Sequence, residues 1–254
     1  MESEPTLADL DGVSLSFHDL GPKDAQPVLL VHGFASNARV NWFMTGWVAD
    51  LLAAGRRVVA FDNRGHGGSS KFYDASEYGP DIFATDAVKL LNYMDIPQAD
   101  VVGYSMGGRI AFALAVWHGH RVRKAAICGM GANLFGRREG SERVAEVLEA
   151  DVVAEGTDPR LLQFRRFAER TGSDRLALAA CIRPSSMVLT PEQARTIQVP
   201  VIVAVGSDDE TAGPAEPLAD AIPGARSYTA PGKDHMKATG DAGLKRAVID
   251  FLAE

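Results

Sequence analysis

The chain has 254 residues, of which 46% are hydrophobic and 23% charged, and its formal net charge at pH 7 is −7. This composition is that of a globular protein long enough to bury a large core, and the negative charge argues against a nucleic-acid partner, because phosphate binding relies on clustered Lys and Arg. No apolar run approaches the roughly 20 residues that span a bilayer, and the acidic first residues do not resemble a signal peptide, so we expect a cytoplasmic protein without a membrane partner.

Six segments of the sequence have the patterns of strands. In the first, Val13, Leu15 and Phe17 alternate with polar residues, which is the period of a half-exposed edge strand. The other five are short and apolar on both faces, as parallel strands are when helices cover both sides of the sheet. They are PVLLVHG (27–33), RRVVAFD (56–62), ADVVGYS (99–105), RKAAICGM (123–130) and VPVIVAVG (199–206).

Helical patterns separate or follow these runs. Residues 43–54, 81–94, 106–117 and 241–252 have the helical spacing of apolar side chains. Strand and helix therefore alternate along most of the chain. This order predicts an α/β fold with a mostly parallel, twisted sheet and helices on both faces.

One long segment interrupts the alternation and has no convincing strand pattern. Three short helices are predicted there instead, the first from Ser141, the second after the cap Asp158-Pro159 and the third after the cap Ser173. Inserted helices of this kind often carry function, so we expect a helical lid, with a solvated surface elaboration as the alternative. The predicted division is a core of residues 1–130 and 191–254 and a lid of residues 131–190.

A serine lies among glycines where a strand pattern gives way to a helical one. In VVGYSMGG, Ser105 has Gly103 two residues before it and Gly107 two residues after it. A sharp turn there forces the serine into a strained backbone conformation and brings strand and helix backbones close together, where only glycine fits. The serine hydroxyl is then exposed at the carboxyl edge of the sheet, above a helix N-terminus.

A serine nucleophile needs a base to accept its proton. His235 lies in the loop APGKDHM, between the last apolar segment and the last helix, where it can fold back over the carboxyl edge of the sheet. It is therefore the best candidate among six histidines. The others belong to a strand face, a helix end or other turns: His18, His32, His66, His118 and His120.

The base in turn needs a carboxylate that fixes its tautomer. The strand ending in VGSDDE delivers Asp208, Asp209 and Glu210 to the same edge. The residues alone leave the choice among them open. The chain order of serine, acid and histidine is that of hydrolases with a serine on a strand-to-helix turn.

Together the motifs VHGFASN, DNRGHGGSS, GYSMGG, VGSDD and PGKDH resemble, in order and spacing, those of the α/β-hydrolase fold superfamily over nearly the full chain. The resemblance implies that Asp209, three residues after Gly206, is the orienting acid instead of Asp208. It implies an oxyanion hole formed by the backbone N–H groups of Phe34 and Met106.

The same resemblance assigns structural roles to two other motifs. His32 is expected to order the oxyanion loop, and Asp62 and Arg64 are expected to brace a turn. We call the strand-to-helix turn at Ser105 the elbow. A serine at this position argues against haloalkane dehalogenases and epoxide hydrolases, which have an aspartate there.

The expected reaction is the hydrolysis of small carboxylic esters through an acyl-enzyme, as in carboxylesterases, with no cofactor and no metal site.

The chain's cysteines, Cys128 and Cys181, are interpreted as buried thiols because they lack CxxC spacing. The oligomeric state is left open. Apolar side chains that could line the substrate pocket are Trp42, Tyr104, Met130, Phe135, Met187 and Met236.

Three alternatives remain at this point. Carbon–carbon bond hydrolases of aromatic degradation also have S-M-G-G at the elbow, but they commonly have asparagine where this chain has Tyr104. A lactonase or perhydrolase could use the same three residues. A ligand receptor that kept the hydrolase fold is the non-enzyme alternative, and slow or single turnover would distinguish it.

Overall fold

The structure, a computed structural model, describes residues 4–136, 140–183 and 188–254. These residues form one eight-stranded sheet with the order β1-β2-β4-β3-β5-β6-β7-β8. The β1–β2 and β2–β4 pairs are antiparallel, and the pairs from β4 across to β8 are parallel. The strands are β1 (Thr6–Asp9), β2 (Ser14–Leu20), β3 (Pro27–Val31), β4 (Arg57–Phe61), β5 (Ala99–Tyr104), β6 (Val122–Cys128), β7 (Val201–Gly206) and β8 (Arg226–Ala230).

Helices lie on both faces of the sheet, so the predicted fold class is confirmed. Among the described residues, none of the helices is both long enough and apolar enough to cross a bilayer. The helices are α1 (Trp47–Ala53), α2 (Pro80–Tyr93), α3 (Met106–Trp117), α4 (Ser141–Glu149), α5 (Pro159–Arg170), α6 (Arg175–Ile182), α7 (Pro191–Ala194), α8 (Glu216–Ala221), α9 (His235–Ala238) and α10 (Ala242–Ala253).

The core consists of two clusters, one on each face of the sheet. Along β3, Leu29 and Val31 belong to the cluster that includes α2 and α3, whereas Val28 and Leu30 belong to the cluster that includes α1 and α10. All four side chains are fully buried. The alternation along a continuously apolar run confirms the interpretation of such runs as strands that are covered on both faces.

Two predictions about the edges of the sheet were wrong. The first predicted strand, β2, is not an edge strand, because β1 pairs with its outer side. The last strand, β8, was not predicted, and four of its five residues are exposed or half-buried. An exposed edge strand has no continuous apolar run, which is why the pattern did not reveal it.

The helix predicted over 43–54 begins later than expected. Residues Arg39–Phe43 form a turn of π-helix, and α1 starts only at Trp47. Between them Gly46 has a φ of 81°, a left-handed conformation that ends one helical path and starts another. The π-helical turn faces the loop that follows β3.

The inserted helices α4, α5 and α6 pack on each other around a small apolar cluster that also contains Ala35. Asp158 caps α5 as predicted, accepting a hydrogen bond from the N–H of Arg160. The cap predicted for α6 was wrong by one residue: Asp174, not Ser173, accepts from the first N–H groups of the helix. Both residue types cap helices well, so the pattern could not choose between neighbours.

The site lies where the direction of the chain through the sheet reverses. After β3 the chain moves to β4 on one side, whereas β5 to β8 follow on the other side, and β3 pairs in parallel with β5. The loops that leave the carboxyl ends of β3 and β5 therefore border a crevice. Ligands bind at such switch points in open α/β sheets.

The turn from β5 into α3 requires glycine at two positions. A Cβ on Gly103 would lie 2.0 Å from the carbonyl oxygen of Gly107, and a Cβ on Gly107 would lie 1.8 Å from the carbonyl oxygen of Val31. Between them Ser105 has a φ of 58°, a conformation that costs energy in any residue other than glycine. The glycine spacing has the steric cause that the sequence predicts.

Two histidines meet beneath this crevice. The rings of His32, after β3, and His66, after β4, are 5.1 Å apart and fully buried. Burial lowers the pKa of His32 to about 4, and burial together with the neighbouring His32 lowers the pKa of His66 to about 3. Both rings are therefore neutral in the folded protein at pH 7.

We expect Gly107→Ala to destabilise the protein by about 3 kcal/mol or more, because the added methyl group overlaps a backbone oxygen that cannot move away. Thermal or urea unfolding measures this. The matched control is Gly119→Ala, where the nearest atom to the new Cβ is a Val199 methyl at 3.9 Å. Equal stability of the two variants would contradict the close approach at the elbow.

The buried histidines predict that stability falls in mild acid. The unfolded chain binds protons at a histidine pKa of about 6.5, whereas the folded chain does so only near pH 4 and below. The free energy of unfolding is therefore highest above about pH 6.5, and by pH 5 it should fall by about 2 kcal/mol per histidine. Urea titrations at pH 7.5 and pH 5 measure the difference.

A variant of His66 isolates this effect. His66→Asn should reduce the loss of stability between pH 7.5 and pH 5 by about 2 kcal/mol, the contribution of one buried histidine. An unchanged pH dependence in His66→Asn would show that these histidines do not control acid stability.

Candidate active site

The three residues predicted to act together lie in hydrogen-bonding contact. His235 Nε2 is 2.9 Å from Ser105 Oγ, and His235 Nδ1 is 2.7 Å from Asp209 Oδ2. The Asp209 carboxylate is buried and accepts a second hydrogen bond from the N–H of Ala212 at 2.9 Å. It holds the proton on Nδ1, which leaves the lone pair of Nε2 directed at the serine hydroxyl.

Asp209 and its neighbour point in different directions. The Asp208 carboxylate accepts a hydrogen bond from the Ser207 hydroxyl at 2.7 Å, on the exposed side of the loop. Only Asp209 reaches the His235 ring. The geometry thus agrees with the position three residues after Gly206.

The N–H groups of Phe34 and Met106 are free to bind an oxygen. Neither group donates to an acceptor within the part of the chain that the structure describes. Met106 is the first residue of α3, so its N–H lies at the positive end of the helix dipole. Phe34 follows β3, directly across from the elbow. Such donors can stabilise a carbonyl oxygen that becomes negative.

The backbone that carries Phe34 is held from below by two side chains. His32 Nδ1 donates to the carbonyl of Gly33 at 2.8 Å, while its Nε2 accepts from the N–H of Asn63 at 2.9 Å. Asn41, in the π-helical turn, accepts from the N–H of Gly33 at 3.0 Å. The loop-ordering role predicted for His32 matches these bonds. Sequence patterns did not identify Asn41, because nothing in the spacing indicates a π-helix.

The inserted helices are attached to the same loop. Ala35 has a φ of 57° and is fully buried. Its carbonyl accepts hydrogen bonds from the hydroxyls of Thr171 at 3.0 Å and Ser173 at 3.5 Å, just after α5. The Phe34 ring contacts Phe164 of α5, with ring centroids 6.1 Å apart.

The motif after β4 makes the contacts of a brace. The two carboxylate oxygens of Asp62 accept from the N–H groups of Ala38 at 2.7 Å and Gly68 at 2.8 Å. Arg64 makes a two-pronged ion pair with the buried Asp86, at 2.6 and 2.8 Å. These bonds connect the turn to the loop after β3 and to α2, as the sequence predicts for Asp62 and Arg64.

The pocket predictions for Trp42 and Tyr104 are corrected by their surroundings. Trp42 is fully buried against Trp47, with ring centroids 5.7 Å apart. Tyr104 shares its strand face with Val102, and both belong to the core cluster beneath the sheet. The period of two along a strand contained the signal for Tyr104, because alternate residues face the same side.

The other residues predicted to line the pocket lie in different surroundings. Met130 is buried in the core cluster on the α3 side, and Phe135 packs on Phe112 with ring centroids 6.0 Å apart. Met236 is 63% exposed. Met187 lies outside the described residues.

Cys128 and Cys181 are buried thiols. Within residues 4–136, 140–183 and 188–254, no group of three or more His, Cys, Asp or Glu side chains could hold a metal ion.

Several known proteins are similar to this chain in sequence. 2-Hydroxymuconate semialdehyde hydrolase of Pseudomonas sp. (strain CF600) is 34% identical over 65% of this chain and 53% of its own length. A putative non-heme chloroperoxidase of Synechocystis is 37% identical over 45% of this chain, which matches 40% of that protein. The chain thus spans about half or less of these curated relatives.

Solved structures resemble the chain over almost its whole length. The enol-lactonase from Burkholderia xenovorans LB400 has a TM-score of 0.77 and 25% identity, covering 98% of this chain and 100% of that one. The esterase EaEST from Exiguobacterium antarcticum has a TM-score of 0.79 at 19% identity, with both chains fully covered, and this likeness shows the fold alone. The model of the alpha/beta hydrolase fold family matches residues 26–180, and the chain belongs to this family.

Proposed function

We propose that this chain is a serine hydrolase that cleaves small carboxylic esters through an acyl-enzyme formed on Ser105. The supporting observation is the continuous line of hydrogen bonds from Asp209 through His235 to Ser105, at 2.7 and 2.9 Å. A serine hydroxyl that is hydrogen-bonded to an imidazole nitrogen has the base that it needs as a nucleophile.

The first half of the reaction forms the acyl-enzyme. Ser105 Oγ attacks the ester carbonyl carbon while His235 Nε2 takes the hydroxyl proton. The carbonyl oxygen becomes negative and accepts hydrogen bonds from the N–H groups of Phe34 and Met106. The imidazolium, stabilised by the Asp209 carboxylate, then protonates the leaving alcohol as the bond between carbon and alkoxy oxygen breaks.

The second half uses the same groups with water as the nucleophile. His235 removes a proton from a water molecule, whose oxygen attacks the acyl carbon. The same two N–H groups bind the negative oxygen again. Protonation of Ser105 Oγ by His235 releases the carboxylic acid and restores the enzyme, so the cycle uses only side chains, backbone and water.

In this proposal the inserted helices α4, α5 and α6 act as a lid over the site. Phe164 of α5 lies against Phe34, next to the N–H that would bind the carbonyl oxygen. An apolar wall at this place suits the alkyl part of a short acyl chain. The hydroxyls of Thr171 and Ser173 fasten α5 to the Ala35 carbonyl, which keeps that wall in place.

A second candidate is the hydrolysis of a carbon–carbon bond. The relative from Pseudomonas sp. (strain CF600) is named for a semialdehyde hydrolase, and the same nucleophile and base could serve such a substrate. A panel of p-nitrophenyl acetate, a simple lactone and a vinylogous diketone separates the candidates. We expect the highest kcat/KM on the ester. A diketone cleaved faster than the ester would favour the second candidate.

Asp209→Asn should lower kcat for p-nitrophenyl acetate by about 10⁴-fold, because the amide favours the wrong tautomer of the imidazole. Steady-state kinetics on the purified variant measure the loss. Asp208→Asn is the matched control, since its carboxylate bonds to Ser207 and not to His235, and it should retain most of kcat. The opposite ranking would mean that Asp208 orients the base.

Phe164→Ala should change the preferred acyl chain length. Removing the ring enlarges the space beside Phe34, so the ratio of kcat/KM for a hexanoate ester to that for a butyrate ester should rise by about tenfold, the discrimination of about one methylene group. Arg166→Ala, at an exposed position of the same helix, is the control. If both variants keep the wild-type profile while folded, the inserted helices do not form a substrate lid.

A further inference from the structure

Tyr104, the residue directly before the proposed nucleophile, contacts the proposed base from below. Its side chain is 3% exposed, and its hydroxyl donates a hydrogen bond of 2.5 Å to the backbone carbonyl of His235. The two rings are 5.4 Å apart between centroids and inclined by 47°. One side chain thus supports both the backbone and the ring of His235.

The surroundings of the phenol keep it in this position. Gly129 leaves the space for the ring, because a Cβ there would lie 2.7 Å from the phenol carbon that bears the oxygen. Gly129 also has a φ of 58°, which disfavours any other residue. Burial raises the pKa of the Tyr104 hydroxyl well above its usual range, so the hydroxyl keeps its proton near neutral pH.

The segment that carries His235 has little support of its own. Helix α9 has four residues, and Met236 and Lys237 on it are exposed. Asp234 caps its start by accepting from the N–H groups of Met236 at 3.1 Å and Lys237 at 2.9 Å. A single helical turn is not stable alone, so its position depends on bonds to the rest of the protein.

Besides the bonds of the His235 ring, two hydrogen bonds among the described residues connect the backbone of this turn to the core. Trp47 of α1 donates to the carbonyl of Thr239, after the turn, at 2.8 Å. Tyr104 donates to the carbonyl of His235 itself. Of these two, the bond from Tyr104 comes from β5, the strand that ends at Ser105. Because one peptide bond joins Tyr104 to Ser105, this hydrogen bond fixes the backbone of the proposed base relative to the proposed nucleophile.

We propose that Tyr104 is a positioning residue that ties the backbone of His235 to the strand carrying Ser105 and thereby sets the distance between His235 Nε2 and Ser105 Oγ. This inference rests on the proposed function of the same site. The tie is specific to tyrosine at this position, because phenylalanine fills the same space without a donor.

The test compares two tyrosines that lose the same kind of bond. Tyr104→Phe removes the donor to His235. Tyr78→Phe removes a similarly buried hydroxyl that donates to the carbonyl of Phe72 at 2.7 Å and accepts from the N–H of Phe72 at 3.2 Å, far along the chain from the proposed base. We expect similar small decreases in Tm for both variants. We expect kcat on p-nitrophenyl acetate to fall about tenfold in Tyr104→Phe only, with KM unchanged, because small misplacements of reacting groups slow chemistry without weakening binding.

A spectroscopic readout separates this inference from the proposed function. The His235 ring proton shared with Asp209 should give a low-field proton NMR signal in the wild type, which Tyr104→Phe should broaden by faster exchange with water and Tyr78→Phe should leave sharp. This signal does not depend on turnover. It therefore tests the positioning of His235 by Tyr104 even if the wild type cleaves no ester. An unchanged signal in Tyr104→Phe overturns the inference whatever the kinetics show. Equal losses of kcat in the two variants overturn it as well.

Discussion

The close approach of three backbone segments at the elbow is the constraint on which the site depends. Gly103 and Gly107 bring β5, α3 and the end of β3 so near that a methyl group at either position would overlap a carbonyl oxygen. This contact forces the strained backbone of Ser105, a conformation that persists only because the surrounding packing determines it. The packing here is the buried centre of the sheet, with helices on both faces.

The same contact sets the positions of the other groups. Because β3 lies beside β5, the loop that carries Phe34 is placed across from the N-terminus of α3 and from Met106. The loop is then held from several sides, by His32 and Asn41 from below and by Thr171 from the inserted helices. Preorganised N–H groups need no reorientation during the reaction, which is why such rigid support favours catalysis.

The sequence predicts the elements that are buried on both faces and the residues that a motif defines. Continuous apolar runs identify the central strands, and the glycine spacing identifies the elbow at Ser105 because the steric requirement is local. The edge strands β1 and β8 are missed because their side chains are largely exposed. The late start of α1 is missed because a π-helical turn has no sequence spacing of its own.

The role of Tyr104 shows a different limit. Its position beside Ser105 suggests the pocket, but alternation along β5 places it with Val102 on the opposite face. Its bond to the His235 carbonyl joins residues 131 positions apart. A contact at that separation follows only from the fold, so neither composition nor local spacing reveals it.

The central claim, that Ser105 forms a covalent acyl-enzyme with His235 as its base, can be tested by mass spectrometry of the intact and digested protein after treatment with an organophosphonate. We expect a single adduct, on the peptide containing Ser105, and no adduct in His235→Ala under the same conditions. An adduct on another serine, or no adduct in a wild-type protein that hydrolyses esters, would contradict it.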